Sequence, residues 1–596
     1  MHDFSATLGI PLDAASLAIV SVTASPFSTF ITRCAAGTLP RAMSSANFFG
    51  GASAAWPASA HSISAIGSGT IFICIGKLSA GCWLDRVEYA RIDVASKGAA
   101  GTVRPHNFSR GRFMQSNRIA RVAGCALIIA AGIAVAAEEP YVHPASRKVE
   151  SKNMKLVGYS DLQARSAYQP LVHHQGNRYI AYVGHHGGTS EVPQPMNPLT
   201  KQKENNGTSV IDVTDPKHPK YLTHIPGEPG LGEQGGAQMV RVCDGKTLPK
   251  GDPAKTYLLR TGGTSSQEVW DVTNPEKPSL LTTVVSGLKD THKNWWECNT
   301  GIAYLVSDGR PEKWRTKRMT KIYDLSDPAH PKFIRNFALV GQQPGSSGEA
   351  VPEDTHGPIV VGNRVYFGYG TLLGGVIQIV DREKLLKGNP ASSDPFAPTA
   401  ENLLYPQVSR LDMYPTVGAH TTFPILGMEV KEFDNFKVKG GDWRTGKPAK
   451  RDFLLVVNES TQNECHEDYH MMFMVDITDE TKPYNVSNYY VPEKSGQFCA
   501  RGGRFGTHSS NEDMSPVYYK KLVFISWFNA GLRVVDIRDP FTPKEVAYYI
   551  PAINKNTAKR CVKENGVEKC KIAIQTNNTE VDDRGYIRSE EHTSEL

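Results

Sequence analysis

An all-β fold, a seven-bladed β-propeller with four-stranded blades and a truncated last blade, is predicted by three observations. A strand-to-turn segment repeats along the chain, a β-rich run precedes each copy and follows each full one, and the copies recur about every 60 residues. The copies are Val210-Ile211-Asp212-Val213-Thr214-Asp215-Pro216, Val269-Trp270-Asp271-Val272-Thr273-Asn274-Pro275, Ile322-Tyr323-Asp324-Leu325-Ser326-Asp327-Pro328, Ile379-Val380-Asp381, Met474-Val475-Asp476-Ile477-Thr478-Asp479 and Val534-Val535-Asp536-Ile537-Arg538-Asp539-Pro540. Two apolar residues, an Asp, an apolar residue and a polar turn that usually ends in Asp-Pro read as a strand running into a reversal, because Pro cannot continue a central strand.

The first Asp of each copy advances by 59, 53, 57, 95 and 60 residues, the long step holding an insertion around Lys431 to Lys450. Runs such as Tyr179-Ile180-Ala181-Tyr182-Val183 and Phe453-Leu454-Leu455-Val456-Val457 supply a strand before each copy, and Tyr221-Leu222 or Val546-Ala547-Tyr548-Tyr549 one after. With one further strand upstream, each unit makes a blade. Glu580 to Ile587 reads as the opening of a seventh unit, and Lys155-Leu156-Val157-Gly158-Tyr159 as the outer strand that closes the ring from the N-terminal side.

The template resembles the LVIVD repeat of bacterial and archaeal surface or exported proteins, over roughly residues 154 to 587. The resemblance implies a propeller and an extracytoplasmic location. It implies no catalytic residues, since the chemistry of that family is not established.

Composition agrees with a globular chain rich in turns: of 596 residues, 40% are hydrophobic and 21% charged, with 53 Gly and 38 Pro. The net charge of +6 is spread among interspersed signs, which argues against a nucleic-acid partner. A basic start at Met114, an apolar run Val122 to Ala136 and the ending Ala134-Val135-Ala136 have the layout of a signal peptide over residues 114–137. On that reading residues 1–113 are mistranslated upstream sequence without a stable fold, and residues 138–587 form the propeller. No integral membrane span is then left after cleavage. Arg588 to Leu596 resembles a translated sequencing adapter, so that residues 588–596 are expected to be an artefact. The expected location is periplasmic or secreted. Six cysteines fall in the propeller, and Cys561 with Cys570, flanking the Asn565-Gly566 turn signal, is the expected disulfide.

Candidate site residues come from one phase of the repeat. Blade starts read Asp290-Thr291-His292, Asp354-Thr355-His356, Gly418-Ala419-His420 and Gly506-Thr507-His508, with His173-His174, Gly236-Ala237-Gln238 and Thr576-Asn577 at the other three. His174 to Gln238, His292 to His356 and His356 to His420 are each 64 residues. Innermost strands line a propeller's channel, so His174, His292, His356, His420 and His508 are expected to converge there as ligands of a transition metal (Fe, Cu or Zn), with Gln238 and Asn577 completing a polar collar. Glu297, Glu353, Asp354 and Glu580 are candidates to orient the imidazoles. Loops expected on the same face carry His185-His186, Tyr369, Asn458-Glu459, His466, His470 and Trp527-Phe528-Asn529, of which Tyr369 and Trp527 are taken as ligand-facing.

The expected function is therefore binding of a metal ion or small ligand at a histidine-lined channel mouth, with metal-dependent oxidation the natural reaction class if there is one. The alternative is an envelope protein-interaction scaffold whose histidines bond neighbouring blades. His466-Glu467-Asp468-Tyr469-His470 matches the H-E-x-x-H pattern but falls between strands, where a loop is expected instead of a zinc-peptidase helix. Gly230 to Gly235 matches G-x-G-x-x-G without a following helix.

Overall fold

In every copy of the repeat the first aspartate is the last residue of a strand, and its side chain starts the turn. The carboxylates of Asp212, Asp271, Asp324, Asp476 and Asp536 accept the backbone N–H two residues on at 2.8–3.0 Å, and Asp381 caps the short helix Arg382–Lys387 through Lys384 N–H at 3.0 Å. The second acidic or amide residue repeats the device: Asp215, Asn274 and Asp539 accept from Lys217, Glu276 and Phe541. Paired Asx turns of this kind satisfy backbone donors that a strand end would leave open, which is why the pattern needs Asp or Asn at those two places.

The computed structural model describes residues 70–76, 87–93, 139–347, 354–370, 374–413, 417–430 and 450–591. Two units are distinguished, Met1–Gly132 and Ile133–Leu596. In the first, Thr70–Gly76 pairs antiparallel with Val87–Asp93, within the stretch expected to have no stable fold. The expected signal segment 114–137, Glu353 and most of the insertion after Val430 lie outside the described residues.

The second unit is an all-β propeller of six blades with four strands each. Blade one is Ala167–Gln175, Arg178–His186, Gly207–Asp212 and Lys220–Pro226; blade two is Val240–Asp244, Thr256–Gly262, Ser266–Asp271 and Ser279–Val285. Blade three opens with Asn294–Trp296, blade four with Ile359–Val361, blade five with Thr421–Glu429 and blade six with Ser509–Ser510. The last two described strands, Thr576–Val581 and Ile587–Glu591, form a separate two-stranded sheet. It stands between blades six and one: Asn578 donates to Tyr168 O at 2.6 Å, Ser509 donates to Asn578 Oδ1 at 2.6 Å, and Arg584 reaches Val213 and Thr214 carbonyls. Its outer strand takes in Arg588 to Glu591, residues expected to be artefactual.

Ring closure differs from the expectation. Lys155 to Tyr159 is not a strand; instead Glu150–Lys152 adds a fifth strand to the outer edge of blade six, against Lys544–Ile550. Asn153 explains part of this, since its side-chain amide bonds Val546 O at 2.8 Å and the chain then turns away from the sheet.

Neighbouring blades share their cores. Tyr304 and Ile322 of blade three pack with Val365 and Phe367 of blade four, Tyr366 and Ile379 of blade four with Leu454 and Val475 of blade five, and Phe453 and Met474 of blade five with Val523 and Val535 of blade six. Each sheet therefore buries both faces, and the ring holds its inner strands at fixed phase around one axis. Three disulfides add to it: Cys243–Cys298 joins blade two to blade three, Cys465–Cys499 joins two loops around blade five, and Cys561–Cys570 crosses the hairpin Lys559–Glu564 and Val567–Ile572 as expected. Among the described residues no helix is long and apolar enough to cross a membrane.

Candidate metal centre

Four of the five expected histidines meet on the axis. His292, His356, His420 and His508 are each 1–3% exposed, with ring centres 4.8 Å apart for His292–His356, 3.5 Å for His356–His420 and 4.9 Å for His420–His508. Each stands at the head of an inner strand, so the rotational repeat of the fold converges them.

His174 does not join them. It lies near the far end of the strand Ala167–Gln175, half exposed, stacked on Tyr179 at 4.3 Å and 4.0 Å from Asp583. The axial place in blade one belongs to Tyr168, six residues earlier, where the strand bulges between Ala167 and Gln169. Its hydroxyl lies 3.3 Å from His292 Nε2, 3.4 Å from His356 Nε2 and 3.4 Å from His508 Nε2. His186 stacks on the same tyrosine at 4.2 Å.

The protonation pattern follows from the partners of the other ring nitrogens. Gln238 donates its amide to Glu233 O at 3.0 Å, which turns its carbonyl oxygen to His292 Nδ1 at 2.8 Å. The Asn577 backbone carbonyl, which only accepts, faces His508 Nδ1 at 2.5 Å. Both Nδ1 atoms therefore carry the proton, and both Nε2 atoms present a lone pair to the axis. Burial, aided by the neighbouring imidazoles and by cations such as Arg318 and Lys293, lowers the proton affinity of His292, His356 and His420 well below the usual range. Burial likewise takes His508 down to about 3. All four rings are neutral at physiological pH.

A carboxylate completes the group. Glu459 Oε2 is 3.5 Å from His420 Nε2 and its Oε1 is 3.9 Å from His508 Nε2, while Arg504 holds Oε1 at 3.1 Å. The ligand atoms of His420, Glu459 and His508 all lie within 4.8 Å of one another. Burial lifts Glu459 to about 7, with Arg504 and Arg318 opposing the rise and Glu233 adding to it. Phe528 packs on His508 at 5.1 Å under Arg504, and partly exposed Glu233, paired with Arg318 at 3.1 Å, stands at the mouth.

Chemically this is an excess of donors. The Tyr168 hydroxyl has one proton to give and three imidazole nitrogens around it, and two nitrogens, His356 Nδ1 and His420 Nε2, are buried without a hydrogen bond. Nitrogen-rich sites with one carboxylate and one phenol suit Fe, Cu or Zn, and the residues fit such an ion.

Other sequence candidates fall elsewhere. Trp527 is 1% exposed and packs on Tyr489 and Phe505, and Tyr369 is equally buried with its hydroxyl on Gln378, so both belong to the core and not to a ligand face. Asn577 contributes its carbonyl oxygen to His508, and its side chain accepts from Gln575. Glu297 binds Arg382 and Tyr304, and Glu580 binds Gln169 and two backbone amides; neither orients an axial imidazole. The H-E-x-x-H segment is a loop, as expected, with Glu467 accepting from Thr461 and Gln462 N–H groups. Spacing missed Tyr168 and the reach of Glu459, although Glu459 and His186, the latter at the end of the strand Arg178–His186, belong to segments expected on that face.

No family model and no curated protein matches the chain. Among solved structures it is similar to Raptor from Chaetomium thermophilum, at 10% identity and a TM-score of 0.38, over 75% of this chain. This chain spans 29% of that one's length. A likeness so distant carries no functional argument.

Proposed function

We propose that the chain is an exported propeller of the LVIVD-repeat kind, seven-bladed with its last blade incomplete, that holds a transition-metal ion at the axial imidazole cluster. The observation that carries the reading is the convergence of three Nε2 atoms on the one hydroxyl of Tyr168, with the Glu459 carboxylate 3.5 Å from a fourth ring. His292, His356, His420 and His508 would hold the ion, with Tyr168 and Glu459 as oxygen donors. Bound there, a redox-active ion supplies electron transfer or Lewis acidity to a small molecule, which makes metal-dependent oxidation the reaction class that suits the site.

The chain's own residues prepare it. Gln238 and the Asn577 carbonyl fix two tautomers, burial keeps the rings neutral, and Arg504 positions Glu459. Three disulfides support an oxidising compartment, in line with the signal-like segment. The test is metal content of the purified protein by inductively coupled plasma mass spectrometry. The reading expects near-stoichiometric Fe, Cu or Zn, lost when His356 and His420 are both changed to Ala. A protein that takes up none of the three, with unchanged stability in the double variant, leaves the scaffold role.

A further inference from the structure

The same inner strands that carry the axial residues end in a second, separate recess. Three or four residues beyond Tyr168, Gln238, His292, His356, His508 and Asn577 come Leu171, Arg241, Trp295, Val360, Glu512 and Glu580, and all six line one cavity of about 550 Å³. It lies further along those strands than the imidazole cluster, and its volume suits a small molecule. Lys293, next to His292 and 1% exposed, lies between the two, packed against Gly357.

The charges of this recess do not balance in pairs. Arg241 and Lys293 both bind Glu512, the former at 2.5 Å, and Arg382 is held by Glu297 at 2.8 Å. Two carboxyls make no ion pair among the described residues, and Arg241 acts on both only at longer range. Glu580 accepts only from Gln169 at 3.1 Å and from the backbone N–H groups of Glu512 and Asp513. Asp513 is open to the recess and among the described residues no cation pairs with it, while Asp582 and Asp583 add negative charge nearby and Arg241 opposes them. Both carboxyls resist ionisation, chiefly from burial and then from neighbouring acids, with Arg241 opposing, so that Glu580 is at about 8 and Asp513 at about 6. Beside the polar Asn299 and Thr300, Leu171, Trp295, Val360 and Val361 form a surface for a hydrocarbon or aromatic body.

We propose that this recess binds a small organic cation, an alkyl- or arylammonium whose charged head lies between Asp513 and Glu580 and whose apolar body rests on Trp295, Val360 and Leu171. The proposal rests on nothing at the imidazole cluster. The test is titration of the full chain with phenethylammonium, followed by tryptophan fluorescence and calorimetry, beside 2-phenylethanol and phenylacetate, which share its body but not its charge. The expected result is saturable binding of the amine, at least about tenfold tighter than either comparator. Asp513→Asn, at the open side of the recess, weakens it by a similar factor. His356→Ala leaves it unchanged. Equal or tighter binding of phenylacetate, retention of amine affinity in Asp513→Asn, or no binding of the amine at millimolar concentration each overturns the proposal.

Discussion

Gln238 holds the imidazole of His292 by one hydrogen bond of 2.8 Å, and it can do so only because Glu233 O fixes the orientation of the amide from its other side. The glutamine thus decides which nitrogen of His292 faces the axis. Gln238→Leu is expected to lower metal affinity by about 10- to 100-fold, as loss of an outer partner does at metal sites. Competition with a chelator of known affinity checks it, and circular dichroism should show an unaltered fold.

The buried trio Arg241, Glu512 and Lys293 sets up a sharp asymmetry. Glu512→Ala leaves two cations in the channel without a partner and is expected to destabilise by about 3–5 kcal/mol, measured by urea unfolding. Lys293→Met removes one cation while Glu512 keeps Arg241, so its cost should be clearly smaller.

Glu580 makes stability fall with rising pH. The unfolded chain ionises it near ~4.3, whereas burial, with Asp513 adding to it and Arg241 and Gln169 opposing, raises it to about 8 in the folded state. The folded protein binds this proton more tightly, so the contribution is fully present below the lower value and is lost as pH climbs through 8. Unfolding free energy should decline between pH 5 and pH 8 by an amount on the order of a few kcal/mol, read as a falling melting temperature. In Glu580→Gln that slope should flatten.

The three disulfides should differ in weight. Cys243–Cys298 closes a 55-residue separation and Cys561–Cys570 one of 9. Chain-entropy estimates give about 4 kcal/mol for the first and about 2.5 kcal/mol for the second. Paired Cys→Ser variants in thermal melts should keep that order.

Much of the fold was legible because the repeat encodes its own turn: Asp536 or Asp271 must end a strand if its carboxylate is to cap the next two residues. Four axial histidines were legible for the same reason, as they share one phase of the repeat. Blade one was not, because its axial residue stands at the start of the strand Ala167–Gln175, so that Tyr168, 70 residues before Gln238, takes the place that a 64-residue spacing gave to His174. Trp527 and Tyr369 were misread because adjacent residues of a strand or its loop face opposite ways, and spacing alone does not say which way is inward. Phe528, one residue on, is the aromatic that reaches His508.

The central claim is that Nε2 atoms from successive blades share one ion. Anomalous diffraction from crystals of the protein loaded with Fe, Cu or Zn tests it directly. The account predicts an anomalous peak on the axis about 2.0–2.2 Å from imidazole nitrogens of His292, His356, His420 or His508. Metal-loaded crystals with no peak there, and with Tyr168 still hydrogen-bonded among the rings, would contradict it.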